Sequence, residues 1–561
     1  MLTFKLHRLR ESKHKELLFV CLLFFMFQIS LQVLTGSFTS EFGGSTDEAG
    51  HYVTGLMVRD YIASGNLSSP MKFAENYYVH YPKVAFGHWP PLFYIVQALW
   101  TLPFSESRIS LLILMALIIT TLSGSLYIVI KEEFGIKKGI LAGLLLIALP
   151  LIQEYSGMIM AEALITLLIF WAALYFGRFL EKERWQDAIN FSIFAVLAIL
   201  TKGNGVALAL LPPIALLFAR RFYLLIRPSF WIMPVIVLIF CGPFYWQTLD
   251  MVVNGWSQNE PTLRFTNLAI RYYSYELIKI VGIGLSIFIA IGFANKVIQP
   301  FRHERTNGKW AAIGALPLSV LLFQCIVPSG LAARHLIPAV PALLMFLVAG
   351  VAWTADKLPL GRLSVKRKMA VLSLSVALVF AVETFTIHKK AWCGFGAIAQ
   401  RLLSTTDFQN SVFLVSSDAR GEGMFISEIA MREHRPGHVV LRAGKVLSTS
   451  RWDGSEYSLL YPTPEKIMNY LERMPVGVVI VDKSIPLSHE REHHRLLSKA
   501  IEAYSHRWRL LGSYPLTLRG TVSHNAVHIY SLIGHENQSV DTIRINMRKM
   551  LGRDLVKTFE K

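Results

Sequence analysis

The sequence predicts an α-helical polytopic membrane protein of about 11 spanning helices with a long first outer loop, followed by a soluble α/β domain. Three observations carry this prediction. Of 561 residues, 53% are hydrophobic and only 17% are charged, and the mean hydropathy is +0.43, too apolar for a soluble chain of this size with a polar surface. The apolar residues recur in runs long enough for a hydrocarbon core about 30 Å thick. From about Trp392 onward the pattern changes to short strand-like runs alternating with helical ones. The net charge of +18 does not point to nucleic acid, because the basic residues lie in short runs between apolar spans. The four cysteines, Cys21, Cys241, Cys325 and Cys393, have no metal-ligand spacing and read as core residues.

In chain order, Lys5, Arg8, Arg10, Lys13 and Lys15 precede the apolar run Leu17–Leu34. This is the pattern of an uncleaved signal anchor with its basic end in the cytoplasm. Further spans are expected at about 109–130, 139–155, 163–179, 188–201, 206–219, 230–248, 276–295, 311–327, 336–353 and 369–388. Charge supports this order. Lys131, Lys137 and Lys138, then Arg178, Lys182 and Arg184, then Arg220, Arg221 and Arg227, then Lys296, Arg302, Arg305 and Lys309, then Lys357, Arg362, Lys366, Arg367 and Lys368 all fall on connections assigned to the cytoplasm. The C-terminus is then outside, although Lys389 and Lys390 run against that last crossing.

The apolar segment Pro90–Phe104 is too short to span and is interrupted by Pro103. Counting it as a crossing would also put Lys131–Lys138 on the wrong side, so it reads as a helix lying at the outer interface. The membrane domain thus covers residues 1–391, with an outer loop of about 36–108. The soluble α/β domain covers 392–534, with strands at Val412–Ser416, Val439–Leu441, Val478–Val481 and Ala526–Leu532 and helices at Glu422–Arg432, Pro464–Glu472 and His493–His506. A basic tail, 535–561, reads either as a surface-associated amphipathic helix or as a frayed polar end.

The residues capable of chemistry fall on outward loops. Asp47 and Glu48, in Ser45-Thr46-Asp47-Glu48, are an acidic pair just beyond the first span. Ionised, Asp47 can accept a proton from an attacking hydroxyl, with Glu48 in support; the same residues would also make an ordinary helix N-terminus. His88 and Trp89 precede Pro90-Pro91 at the outer end of the interfacial helix. Trp89 is explained by a headgroup anchor; His88 is explained less well. Glu162 opens a span, as a dipole partner or a site residue. Lys202, in Thr201-Lys202-Gly203, and Arg334, in Ala333-Arg334-His335, are scarce outer-face cations. They suit phosphate binding or snorkelling to lipid headgroups.

In order, Asp47-Glu48, His88-Trp89-Pro90-Pro91-Leu92, Glu162-Ala163-Leu164, Thr201-Lys202-Gly203 and Arg334-His335-Leu336-Ile337-Pro338-Ala339 resemble the glycosyltransferase family 39-like enzymes. That group includes the protein O-mannosyltransferases and the lipid A aminoarabinose transferases, of the glycosyltransferase-C fold. The resemblance spans about Leu17 to Trp353 and omits the soluble domain. It implies inverting transfer of a sugar from a polyprenyl-phosphate-linked donor to an acceptor hydroxyl of unspecified kind, on the outer face of the plasma (inner) membrane. Membrane lipids are the other expected partners, and nucleic acid is not expected. It assigns the essential acid to Asp47, with Glu48 beside it, and substrate binding to His88, Glu162, Lys202, Arg334 and His335. Two departures stand out: Glu162 replaces a position often Asp, and His88-Trp89 replaces an acidic residue followed by His or Lys. It implies no nucleotide on the outer side and fixes no cofactor, while a divalent ion joining Asp47 and Glu162 is a candidate. The competing class is a transporter or flippase of a lipid-linked or anionic substrate, which would place charge near the bilayer midplane.

Overall fold

The structure, a computed structural model, describes residues 2–66, 68–85, 87–255, 261–328, 330–358, 364–450, 454–539 and 541–559. Arg362, assigned above to a cytoplasmic connection, lies outside the described residues.

Among the described residues, seven helices are long and apolar enough to cross a membrane: His14–Leu34, Arg108–Phe134, Glu162–Lys182, Pro228–Met251, Ile283–His303, Gly308–Ile326 and Ala333–Lys357. The pair Ile136–Ala148 and Pro150–Ser156 passes the same test only when taken together and is bent by 64°, the geometry of a broken span or of a re-entrant loop. The bend has a local cause, since Leu149 precedes a proline and is held at φ −59°, ψ 128°, away from helical geometry. The remaining expected spans are helical but shorter or more charged. Trp185–Thr201 has 17 residues, Gly203–Ala219 opens on a 3₁₀ turn, and the helix from Val365 to Thr384 carries Lys366, Arg367, Lys368 and Glu383.

One expected boundary is corrected. The span read at 276–295 is divided at Gly282, whose φ of +82° ends the helix Leu263–Val281 and starts the next at Ile283. A glycine adopts that backbone without strain, and a side chain there would meet Thr384 Oγ1 at 2.8 Å. The segment after Pro90-Pro91 is a helix of 10 residues, Leu92–Thr101, well short of a crossing. It joins Glu48–Ala63 and Pro70–His80 to fill the first long loop, around the buried Tyr52, Tyr77, Tyr78 and Tyr81.

The C-terminal part contains strands β1 (Trp392–Cys393), β2 (Val412–Ser416), β3 (Val440–Arg442), β4 (Ser448–Thr449), β5 (Ser458–Leu459), β6 (Val476–Asp482), β7 (Trp508–Leu518), β8 (Thr521–Leu532), β9 (Thr542–Ile545) and β10 (Leu555–Thr558). Six form one sheet in the order β1-β7-β8-β6-β2-β3. β2 pairs in parallel with both β3 and β6, and β8 joins β6 antiparallel. Every residue of β2 and β6 is buried, as expected of continuous apolar strands in a parallel sheet with both faces covered. β7 is an addition to the sequence reading. It forms a hairpin with β8 through Arg519 and Gly520, both at positive φ, the backbone of a tight hairpin turn.

The basic tail forms neither one long amphipathic helix nor a frayed end; its helical part among the described residues is the single turn Arg548–Leu551. β9 and β10 pair antiparallel, and Ile543, Ile545 and Leu555 are buried. The alternation Thr-Ile-Arg-Ile suits a half-buried strand, which explains this outcome. The tail packs on the first loop, where the Phe559 ring meets that of His80 edge-on at 5.7 Å.

First loop and soluble domain are tied by polar contacts. Arg435, with a side chain only 4% exposed, donates to Asp60 at 2.8 Å and Glu106 at 2.6 Å. The Tyr81 hydroxyl donates to Glu433 at 2.6 Å. Glu41 accepts from the amides of Gly394, Phe395 and Gly396, each at 3.0 Å, at the start of the helix Phe395–Ser404. An acidic side chain there meets the unpaired amides and the positive end of the helix.

Candidate active site

Asp47 occupies the N-cap position of Glu48–Ala63, yet its side chain makes no capping hydrogen bond. It turns instead to Arg334, whose Nη2 donates to Oδ2 at 2.8 Å. Arg334 lies in the 3₁₀ turn Ala333–Ala339, which leads into the helix Val340–Lys357. Its Nε stands 3.6 Å from Glu162 Oε1, and Lys202 Nζ donates to that same oxygen at 2.6 Å. Glu162 is the first residue of its helix, and Lys202 directly follows Trp185–Thr201. Four residues from four separate elements therefore meet where helices begin or end.

The cluster balances two carboxylates against two cations. Glu162 is the inner member, 3% exposed, whereas Asp47, Lys202 and Arg334 are each about a fifth exposed or slightly more. Glu162 Oε2 is buried without a hydrogen-bond partner among the described residues. Burial alone would raise the Asp47 pKa, but Arg334, with help from His51 and Lys202, holds it down at about 2. Asp47 is therefore ionised at any physiological pH.

His51 lies beside this cluster and was not picked out from the sequence. Its ring stacks on Trp89 at 4.1 Å, and its Nδ1 shares a hydrogen bond with the Tyr94 hydroxyl at 2.8 Å. Burial pushes its pKa down to about 3 against the pull of Asp47 and Glu162, so the imidazole is neutral. The available signal was spacing, since Asp47 and His51 are four residues apart on a helix start and the His51 amide donates to the Asp47 carbonyl at 2.9 Å. The His88 ring also lies against Trp89, with ring centres 4.9 Å apart. Burial lowers its pKa to about 4, opposed by the Asp47 charge. Trp89 thus holds both imidazoles.

The remaining predicted residues, His335 and Glu48, take hydrogen bonds outside the ion-pair cluster. His335 is buried, with Nδ1 hydrogen-bonded to the Tyr273 hydroxyl at 3.0 Å. Glu48 points away from Asp47, its Oε1 accepting from Arg108 Nε at 3.0 Å and Nη2 at 2.7 Å. Arg108 also donates to the carbonyls of Ser37, Ser40 and Gly157. With side chains 0% and 6% exposed, this pair fastens the start of the first loop to the spanning helix Arg108–Phe134. Adjacent positions on the helix face different directions, which separates the acidic pair into a site residue and a core ion pair.

No group of three His, Cys, Asp or Glu among the described residues is arranged to hold a metal ion. The two candidate ligands, Asp47 and Glu162, both have cationic partners in place. A divalent ion would have to displace Arg334 and Lys202, so these residues do not fit one as they stand.

The chain resembles known proteins in sequence over one segment and in fold over most of its length. Residues 88–246 match the sequence profile of the dolichyl-phosphate-mannose-protein mannosyltransferase family. No curated protein matches the chain by sequence. The crystal structure of ArnT from Cupriavidus metallidurans bound to undecaprenyl phosphate superposes with a TM-score of 0.55 over 92% of this chain and 98% of that one, at 14% identity. The archaeal oligosaccharyltransferase AglB from Archaeoglobus fulgidus, in complex with an inhibitory peptide and a dolichol-phosphate, gives a TM-score of 0.54 at 11% identity, covering 91% of this chain and 74% of that one. These findings define a class: the chain is a polytopic membrane protein with the glycosyltransferase-C fold. The resemblance read from the ordered motifs is borne out, with His88, Glu162 and Lys202 inside the matched segment.

Proposed function

We propose that this protein transfers a sugar from a polyprenyl-phosphate-linked donor to an acceptor hydroxyl, with inversion at the anomeric carbon. The observation that carries this reading is the half-open cluster of Asp47, Glu162, Lys202 and Arg334 at the ends of apolar helices. Paired cations at a membrane boundary suit a lipid phosphate, and a carboxylate beside them suits proton removal. The likeness to structures described with undecaprenyl phosphate and dolichol-phosphate supports the same donor class.

The geometry suggests how substrate prepares the base. Without donor, the Arg334 guanidinium keeps Asp47 a weak base. A donor phosphate drawn to Lys202 and Arg334 neutralises that guanidinium, and the proton affinity of Asp47 rises. The acceptor oxygen then forms its bond to the anomeric carbon as the bond from that carbon to the phosphate oxygen breaks. The bonding pair leaves with the phosphate, and the acceptor proton passes to Asp47. Lys202 and Arg334 stabilise the charge growing on the leaving group, an interaction stronger in the transition state than in the ground state. Neutral His51 and Trp89 form an aromatic wall beside the reacting centre, and Glu48 keeps the structural place described above.

The positive-inside pattern supports a site and soluble domain facing outward from the plasma (inner) membrane. The transporter alternative gains no support, since the charged residues gather at helix ends rather than within paired broken helices. The test is purified protein in lipid with polyprenyl-phosphate sugars and hydroxyl acceptors. Acceptor-dependent release of polyprenyl phosphate supports transfer, and its absence across donor sugars argues against it.

A further inference from the structure

Lys83 has no place in the chemistry proposed above, yet its position is unusual. It lies in the first loop, just after Pro70–His80, and is buried. Its Nζ donates to two backbone carbonyls on different parts of the chain: Thr46 at 3.3 Å and Ala419 at 3.0 Å. Thr46 immediately precedes Asp47. Ala419 is the first residue of the helix Ala419–Arg432 in the soluble domain, whose N-terminus is capped by Asp418 through the amides of Arg420 and Gly421.

The surroundings make this a built joint. At Gly423, an added Cβ would stand 2.8 Å from Lys83 Cε and 2.9 Å from Ala49 Cβ, so the first turns of the two helices touch through the lysine stem. Arg442 holds the preceding residue, donating from Nη1 to the Pro82 carbonyl at 3.3 Å, while its Nε is fixed by Glu422 at 2.8 Å. A buried ammonium is costly to keep without partners, and here its partners are the carbonyl beside the base and the start of a soluble-domain helix.

We propose that Lys83 is a positioning residue that transmits the seating of the soluble domain to the backbone carrying Asp47. The inference rests on Asp47 being the base. Soluble domain and membrane site then act as one unit, and only a seated domain holds Asp47 in the geometry that transfer needs.

Titration gives a signature that simple packing would lack. Four charged groups bear on Lys83: Arg442 from β3, Glu422 and Asp418 at the start of the soluble-domain helix, and Asp47 in the first loop. Burial chiefly, with Arg442, brings its pKa down to about 7, against the pull of Glu422, Asp47 and Asp418. The charged bridge is therefore full below that pH and weakens as pH rises through it.

The experiment compares wild type, Lys83→Met, Lys83→Arg and Gly423→Ala in lipid, following polyprenyl phosphate release against pH and, separately, hydrogen exchange at residues 45–52. Lys83→Met is expected to lower kcat on the order of 10- to 100-fold, the cost of a small misplacement of a reacting group, with donor KM within about twofold. Wild-type activity is expected to fall above about pH 7, and Lys83→Met should lose that fall. Lys83→Arg should restore most of kcat and carry activity to higher pH. Gly423→Ala, which displaces the lysine stem without touching its charge, should reproduce the kcat loss. Faster exchange at 45–52 in Lys83→Met and Gly423→Ala is expected whether or not transfer is detected. Failure of transfer in wild type with altered exchange would thus overturn the function and leave the joint standing. Unchanged exchange, or wild-type kcat and pH profile in Lys83→Met, would overturn the joint.

Discussion

Arg334 donates to Asp47 at 2.8 Å while its Nε stands 3.6 Å from Glu162, so one guanidinium joins carboxylates from the first loop and from a spanning helix. The same guanidinium is what keeps Asp47 at about 2. Under the proposed function, a base held so low is useful only if substrate relieves the hold, which would couple donor binding to proton removal.

Asp47→Asn keeps the size and hydrogen-bonding reach of the side chain and removes its basicity. Polyprenyl phosphate release is expected to fall by about 10²- to 10⁴-fold, with donor binding changed by only a few fold. Release at the wild-type rate would sink the assignment of Asp47 as base.

Removing the guanidinium should expose the natural tendency of that carboxyl. In wild type, kcat/KM reports the free enzyme, where Asp47 stays ionised down to about pH 2, so it contributes no acid limb between pH 4 and 6. In Arg334→Gln the largest lowering contribution is lost while burial still raises the pKa, and the acid limb is expected to move up toward the ordinary carboxylate range. Overlaying pH profiles of kcat/KM from the two proteins checks this, and identical acid limbs would contradict it.

Lys202 and Arg334 are expected to hold the donor phosphate. Taking both away leaves Glu162 buried and unpaired, a destabilising change in itself, so the comparison belongs in a Glu162→Gln background. There, Lys202→Ala with Arg334→Ala should weaken polyprenyl phosphate binding at least tenfold, since each charge-assisted hydrogen bond is worth roughly 1.5–3 kcal/mol. Unaltered affinity would argue against phosphate binding by these two residues.

Most of the spans, the short helix after Pro90-Pro91 and the parallel strands were legible because each is written in a local pattern: length of apolar run, proline pair, continuous β-branched segment. Four of the five residues now nearest the proposed chemistry were legible as well, because Asp47, Glu162, Lys202 and Arg334 are charges at the ends of apolar runs. His51 was hidden since its burial comes from Trp89 and Tyr94, which arrive from another part of the loop. The separation of Glu48 from Asp47 depends on Arg108, a contact over |i−j| = 60 that no local pattern announces. Gly282 was overlooked because hydropathy runs straight through a glycine that breaks the helix. The tail was misjudged because its charges dominate four-residue strands whose alternation is easily missed.

Glu48 and Arg108 form a core ion pair, so breaking one partner should cost stability more than chemistry. Arg108→Met leaves a fully buried carboxylate uncompensated and is expected to destabilise the protein by about 3–5 kcal/mol. Glu48→Gln with Arg108→Met removes both charges and should recover much of that loss. Thermal unfolding in detergent reads stability, and polyprenyl phosphate release per folded molecule should remain near wild type in the double variant. A fall as deep as that of Asp47→Asn at retained stability would return Glu48 to the catalytic set.

A second carboxyl pair sits where the first loop meets the soluble domain, and it is expected to make stability depend on pH. Glu41 Oε1 and Glu428 Oε2 both crowd Gly396, where an added Cβ would lie 2.8 and 3.1 Å from them. Burial chiefly, with the Glu41 charge, pushes the Glu428 pKa up to about 7 against the pull of Arg432. A carboxyl raised on folding binds its proton more tightly in the native state, so its contribution is fully present below the ordinary value near 4.5 and is lost as pH rises through about 7. Wild-type Tm, apart from other titrating groups, should therefore decline across this window. Glu428→Gln keeps the neutral form at every pH, so its Tm should decline less, gaining on wild type as pH goes from 5 to 8. Scanning calorimetry of both proteins at closely spaced pH decides the matter. Parallel Tm curves would mean that Glu428 is already ionised against Arg432 throughout the range.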